Sequence, residues 1–177
     1  MPVRKVVQIG NEIIRGKSRT VIDVDNREVK QTIKDLVDSM RRYNLVGLAA
    51  PQIGKSLRIF VTEIRKTTYR KNVSKEDQLR VFINPRVIEK SKHTVNGYEG
   101  CGSVISAKLF GVVKRARTVA VTALDAQGKR LKLKADGLLA CVIQHEMDHL
   151  DGIVFLDRVT DTRGLLDREV YIKLQRH

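Results

Sequence analysis

Tryptophan is absent from this 177-residue chain, and aromatic residues make up only 5% of it. That scarcity leaves no base-stacking platform of the kind used on single-stranded nucleic acid. Two cysteines, Cys101 and Cys141, are too few for a disulfide framework in a chain this size. A single bridge between them is open on sequence alone, but a reduced setting with a functional thiol is the expectation. Long apolar runs are also missing. The longest, Leu138 to Ile143, has six residues, against about 18 for a membrane span, so no membrane partner is expected. The start, Met1 to Val7, is too weakly apolar for a secretory signal, and Glu12, Asp23 and Asp25 bring acids where a transit peptide avoids them. The expected location is the cytoplasm.

Acidic residues are outnumbered: 34 Lys and Arg against 20 Asp and Glu give a formal charge of +14. An excess of this size attracts polyanions, the ribosome among them. The basic groups are dispersed, with modest concentrations at Arg65-Lys66, Arg70-Lys71, Lys114 to Arg117 and Lys129 to Lys134. No nucleic-acid motif accompanies them, so sequence-specific binding is not expected. Apolar residues at 42% and charged residues at 31% describe a globular chain. Its length suits one domain, residues 1–177.

The patterning mixes short strands with segregated helices, which reads as an α+β domain. Val6 to Ile9 is a short strand or anchored arm, and Asn11 caps a helical turn over Glu12 to Arg15. Asp25 with Glu28 reads as a capping-box variant ahead of an amphipathic helix. In that helix Val29, Ile33, Leu36, Val37 and Met40 share a face, and it ends near Tyr43. Leu45 to Gly54 reads as an apolar loop, Leu57 to Thr62 as a strand, and Arg65 to Gln78 as a basic surface loop. Val81-Phe82-Ile83 is a strand broken by Asn84-Pro85 and resumed at Val87-Ile88. Asn96 to Ser103 is glycine-rich. Val119 to Leu124 and Leu131 to Leu133 flank a hairpin turn at Asp125 to Gly128. Asp136 can cap a helix from Gly137 to Asp151, stopped by Gly152. In the tail Asp161 can cap a helix, yet Val170, Ile172 and Leu174 alternate like a strand.

The sharpest chemical signal is His145-Glu146-Met147-Asp148-His149. Two histidines four apart lie on one helix face, about 6 Å apart along the axis, and can share one metal. The glutamate beside the first can act as general base. A catalytic ion needs a third protein ligand and an open position. Metzincins place a third histidine where this chain has Phe155, so that reading fails. A later carboxylate, Asp157, Asp161, Asp167 or Glu169, remains formally open. Cys141 lies two turns from His149 and cannot easily join the pair. Cys101 is the better third ligand, because flanking glycines let the backbone of Glu99-Gly100-Cys101-Gly102-Ser103 approach closely. One thiolate and two imidazoles suit zinc or ferrous iron.

Three segments together resemble the peptide deformylase family: Gly47-Leu48-Ala49-Ala50-Pro51-Gln52, Glu99-Gly100-Cys101-Gly102-Ser103 and Gln144-His145-Glu146-Met147-Asp148-His149. The resemblance runs from the N-terminal arm to about Asp157. It implies antiparallel strands around a central metal-binding helix. It also implies hydrolytic removal of the formyl group from the N-terminal formylmethionine of nascent polypeptides, by water activated on the metal. Cys101, His145 and His149 would bind the ion, Fe²⁺ in this family and replaceable by Zn²⁺, Ni²⁺ or Co²⁺. Glu146 would be general base and then acid. The Gln52 side-chain amide and the Gly102 N–H would donate to the oxyanion. Gly47 would contact the formyl group, Val46 and Gly100 would pair with the substrate backbone, and Val46, Leu138, Cys141 and Val142 would line the methionine pocket. Glu99 is left to a structural ion pair with Arg115.

Three features depart from the family pattern. Gly102 stands where leucine is usual, Leu45 where a second glycine opens the first motif, and Ile105 where proline often follows, with the stretch to Arg115 slightly lengthened. They bear on cleft shape and on the order of the oxyanion site. A divergent paralogue of weak or altered activity is one alternative. A basic ribosome- or RNA-binding protein with a structural metal is another.

Overall fold

The computed structural model describes residues 3–68 and 70–175. Met1 and Pro2 of the weakly apolar start, and the last two residues of the 1–177 span, lie outside the described residues. Asn11 caps α1 (Glu12–Arg15) by accepting from Ile13 N at 3.1 Å. The next cap falls one residue later than expected. Asn26 accepts from Glu28 N at 2.8 Å and starts α2 (Arg27–Arg42), while Asp25 pairs with Lys30 at 2.7 Å. Asparagine and aspartate cap about equally well, so register decided between them.

The segment read as a loop at Leu45 to Gly54 holds a short strand, β1 (Gly47–Ala49), and a 3₁₀ turn over Ala50–Ile53. Next come β2 (Ile59–Ile64) and β3 (Asp77–Lys90). The expected break at Asn84-Pro85 is a bulge inside one strand. Asn84 takes φ +51° and the pairing register shifts between Ile83 and Arg86, which is how a strand accommodates proline and a left-handed residue together. The glycine-rich segment is mostly strand: β4 (Thr94–Gly100) is followed by a 3₁₀ turn at Ile105–Ala107 and by β5 (Leu109–Ala116). The hairpin is as expected, β6 (Thr118–Leu124) and β7 (Arg130–Asp136), and α3 (Gly137–Leu150) follows it directly. Gly152 ends that helix at φ +76°.

In the tail Asp161 caps only a 3₁₀ turn, Thr162–Gly164. After β8 (Leu166–Asp167), residues Arg168–Leu174 form α4, capped by Asp167. The strand-like alternation of Val170, Ile172 and Leu174 loses because Tyr171 between them is the residue that is buried.

All strand pairs are antiparallel. One sheet has the order β1-β2-β3-β6-β7, the other β4-β5-β8. Strand alternation splits the core. Ile59, Val61 and Ile83 face Val29, Leu36 and Met40 of α2. Phe60, Phe82 and Val121 face Ala140, Ile143 and Leu150 of α3. α3 also touches β5 of the smaller sheet, so it runs as the central helix between the two sheets. Gln144 fastens it there: its side chain accepts from Ala116 N at 3.1 Å and donates to Ala116 O at 2.9 Å.

Candidate metal centre

α3 is nearly apolar on the turns that meet the core, so its polar residues are few and each has a partner or a cleft to face. His145 and His149 present their rings edge to face, with centroids 5.0 Å apart. Cys101 approaches from the turn after β4, and its Sγ lies 3.1 Å from His149 Nε2. The ligand atoms of Cys101, His145 and His149 all lie within 4.8 Å of one another. Tetrahedral coordination at zinc–sulfur and zinc–nitrogen bond lengths spaces such donors by roughly 3.5 Å, so this set fits one ion. Among the described residues no other carboxylate, thiol or imidazole joins the group. The later carboxylates are engaged elsewhere: Asp157 pairs with Arg15, Asp161 with Arg163, and Asp167 caps α4. Cys101 and Cys141 are both free, so the bridge that the sequence left open does not form.

Burial alone would raise the Cys101 thiol pKa, but the two imidazoles reverse the effect and hold it well below its usual value. The same exchange holds the His145 imidazole pKa well above its ordinary value, against burial, through Cys101 and Glu99. Glu99 Oε2 lies 2.8 Å from His145 Nδ1, which turns the other ring nitrogen towards the cluster. Arg115 grips Glu99 at 2.7 and 2.9 Å and Asp148 at 2.6 Å, and Asp148 also takes Arg158 at 2.8 Å. The Glu99–Arg115 pair expected from sequence therefore exists, but Glu99 does more: it orients the His145 ring. Neither that link nor Asp148 as its far anchor is visible in local sequence.

Burial works upward on the Glu99 carboxyl, and Arg115 and His145 outweigh it, setting its pKa at about 2. A depressed folded-state value adds stability above the ordinary pKa of about 4.3 that is lost as pH falls towards 2. Acid titration of unfolding should show a loss on the order of 3 kcal/mol across that window, and Glu99→Gln should flatten it; an unchanged acid limb would refute this role.

Glu146 is 3% exposed, and its Oε2 has no hydrogen-bond partner among the described residues. Burial raises its pKa to about 7, with the neighbouring imidazoles pulling the other way. Its Oε1 packs against Gly47. A Cβ on Gly47 would collide with that oxygen and lie 2.7 Å from Val142 Cγ1. Gly47→Ala is expected to displace the carboxylate and cost about 100-fold in kcat while leaving metal content intact; a fully active Ala variant would show that Glu146 tolerates the shift.

Gln52 is 2% exposed. Its Oε1 accepts from Ala49 N at 2.8 Å, which aims Nε2 at Cys101 Sγ (3.4 Å) and Ser103 Oγ (3.3 Å). Ser103, which sequence alone gives no role, also sends its N–H to Cys101 Sγ at 3.4 Å. The departures at residues 45 and 102 meet in space. A Cβ on Gly102 would lie 3.2 Å from Leu45 Cδ1 and 3.4 Å from Val6 Cγ1. The Leu45 side chain thus packs over the place where a residue-102 side chain would begin. Gln8 steadies the same turn by donating to Gly102 O at 2.9 Å and accepting from Ser106 N at 2.9 Å. The lengthened stretch becomes the left-handed turn Ile105-Ser106-Ala107, with φ between +47° and +57°.

A cleft of about 310 Å³ opens beside the cluster. It takes in every site residue expected from sequence except His149, the cluster member that is 1% exposed. Leu138, Cys141 and Val142 form the α3 wall, and Val46, Gly47 and Gly100 lie at the strand edges. Burial raises the Cys141 thiol pKa, so it stays a neutral, soft wall.

Fold and donor set together define an α+β protein with a Cys/His/His site able to hold one metal ion. The polypeptide deformylase family matches residues 3–164. A peptide deformylase of Dictyoglomus thermophilum is 41% identical over 90% of this chain and 94% of its own length. One from Treponema pallidum is 39% identical over 88% and 87%. Among solved structures, the Met-Ala-Ser-bound class I type b peptide deformylase of Acinetobacter baumannii superposes with a TM-score of 0.84 at 31% identity, covering 89% of this chain and 99% of that one. The chain belongs to the polypeptide deformylase family.

Proposed function

We propose that this protein hydrolyses the N-formyl group from formylmethionyl peptides, acting as one catalytic domain over residues 1–177. The observation that carries the reading is the unpartnered, buried Glu146 carboxylate beside the Cys101–His145–His149 cluster at the floor of a peptide-sized cleft. A divalent ion held by those three side chains would supply Lewis acidity and lower the pKa of a water from 15.7 towards about 7.

The chain's own residues do the rest. Glu146 takes the proton of the attacking water and returns it to the amine nitrogen as the C–N bond breaks and formate leaves. The Gln52 amide and the Gly102 N–H donate to the oxygen that gains charge, each worth about 3 kcal/mol. β1 and β4 are both sheet edges, so Val46 and Gly100 can pair with an extended peptide between them. Gly47 lets the formyl end approach, and Leu138, Cys141 and Val142 receive an unbranched thioether side chain.

Metal-loaded protein is expected to release formate from formyl-Met-Ala-Ser at least tenfold faster than from formyl-Ala-Ala-Ser. No formate from either overturns the reading. We further propose Fe²⁺ as the native ion, which metal analysis of anaerobically purified protein tests. The +14 charge supports ribosome association in the cytoplasm, where formylated chains emerge. Co-pelleting with ribosomes should then weaken steeply between low and moderate salt. Among the described residues, no helix is long and apolar enough to cross a membrane. The rival reading, a structural metal in a basic RNA-binding protein, needs a fourth protein ligand, and among the described residues only three converge.

A further inference from the structure

β4 presents two different faces to the cleft. Glu99 turns towards α3, where it meets His145 and Arg115. Gly97, two residues earlier, shares that face, and a Cβ there would touch nothing within 4 Å. Tyr98 and Gly100 turn the other way. A Cβ on Gly100 would lie 2.7 Å from the Phe110 ring, and the Tyr98 ring sits 5.8 Å from that of Tyr171. Tyr171 is 3% exposed and stacks on Phe110 with centroids 4.1 Å apart. Gln175 donates to its hydroxyl at 2.9 Å, and Asp167 caps the helix that carries it. Both tyrosines and Gln175 line the cleft. The family match ends at residue 164, so α4 brings to the site a wall that lies beyond the matched region.

Side chains of an extended peptide alternate, one to each face of the sheet it joins. If the first side chain enters the α3 wall at Leu138, Cys141 and Val142, the second must project over the opposite face of β4. We propose that Tyr98, backed by Tyr171 of α4, is the contact surface for the second residue of the formylated peptide and makes the enzyme favour a bulky apolar or aromatic side chain there. Tyr98 touches the substrate, and Tyr171 is a positioning residue acting through it. The inference rests on the deformylase reading, and its test separates the two.

With the metal-loaded full chain and formyl-Met-X-Ser peptides, kcat/KM should rise about tenfold from X = Gly to X = Phe, mostly through KM. Tyr98→Ala should bring the Phe/Gly ratio to within about twofold. Tyr171→Ala should do likewise, whereas Tyr171→Phe, which keeps the stack on Phe110, should retain the preference. Calorimetric binding of Met-Phe-Ser against Met-Gly-Ser repeats the comparison without turnover. A flat series in the parent protein, or a ratio that survives Tyr98→Ala, overturns the proposal while leaving deformylation in place. Absence of formate from every peptide would instead strike the deformylase reading, and the product-binding ratio would still decide this one. Should Tyr171→Ala fail to fold, the ratio measured in Tyr98→Ala decides the proposal by itself.

Discussion

Glu146→Gln is expected to keep one equivalent of metal and lose formate release by about three orders of magnitude, within the 10²–10⁴-fold range of a positioned acid–base group. Glutamine matches the shape of glutamate but cannot take up a proton. None of the three ligand atoms is altered, so metal analysis should be unchanged. Burial lifts the Glu146 carboxyl to about 7, close to the operating pH, which is where proton uptake and return are both efficient. A divalent charge beside it favours the ionised form, so kcat/KM should rise with pH along an acid limb no higher than about 7. The sign for stability is the reverse of that for Glu99. A folded-state pKa raised above its unfolded value of about 4.3 means the ionised carboxylate destabilises the metal-free fold at neutral pH. Metal-free Glu146→Gln should therefore unfold at a higher temperature than its parent. Full activity in the metal-replete variant would remove Glu146 as the base.

Replacing Arg115 should have the largest effect on the fold. Its guanidinium, 6% exposed, is shared by Glu99 and Asp148. Arg115→Met would leave both carboxylates under cover without their shared cation, with only Arg158 remaining on Asp148 and the His145 ring on Glu99. Removing one partner of a buried pair costs about 3–5 kcal/mol, which for this length lowers Tm by roughly 6–20 °C. The second consequence is at the metal. A Glu99 no longer gripped cannot fix the His145 ring, and loss of such a support typically costs 10–100-fold in metal affinity. Arg115→Lys should restore only part of either, since an ammonium lacks the planar fork that Glu99 engages. Thermal unfolding together with metal competition titration checks both. A Met variant within about 1 kcal/mol of the parent would show that the network is not a structural support of the site.

Much of this site is local in the chain, and that is why it could be read early. The i, i+4 spacing of His145 and His149 depends only on helix pitch, and Glu146 follows from its place between them. The hairpin from β6 to β7, the cap at Asn11 and the end of α2 near Tyr43 are likewise set by neighbours a few residues apart. The misread elements share another trait. Gly47–Ala49 looks like loop because it is small and short, and becomes strand only because β2 lies alongside it. Asn84-Pro85 looks like a break because sequence cannot tell a bulge within one strand from a gap between two. Arg168–Leu174, which sequence leaves open between helix and strand, is settled as helix once Phe110 supplies a surface for Tyr171.

Residue types and spacing by themselves marked His145 and His149 as a pair able to share one ion, with Glu146 beside the first and Cys101 as a candidate third donor, because the pair lies within one helix and the thiol in one glycine-flanked turn. Only the tertiary structure decided that Glu99 orients His145, that Arg115 binds Glu99 to Asp148, that Leu45 packs over Gly102 and that α4 walls the cleft. Each of these joins residues far apart in the chain, and no local pattern specifies such pairs. They are selected by the need to pair buried charge and fill buried volume, and that need exists only once the strands and helices have packed.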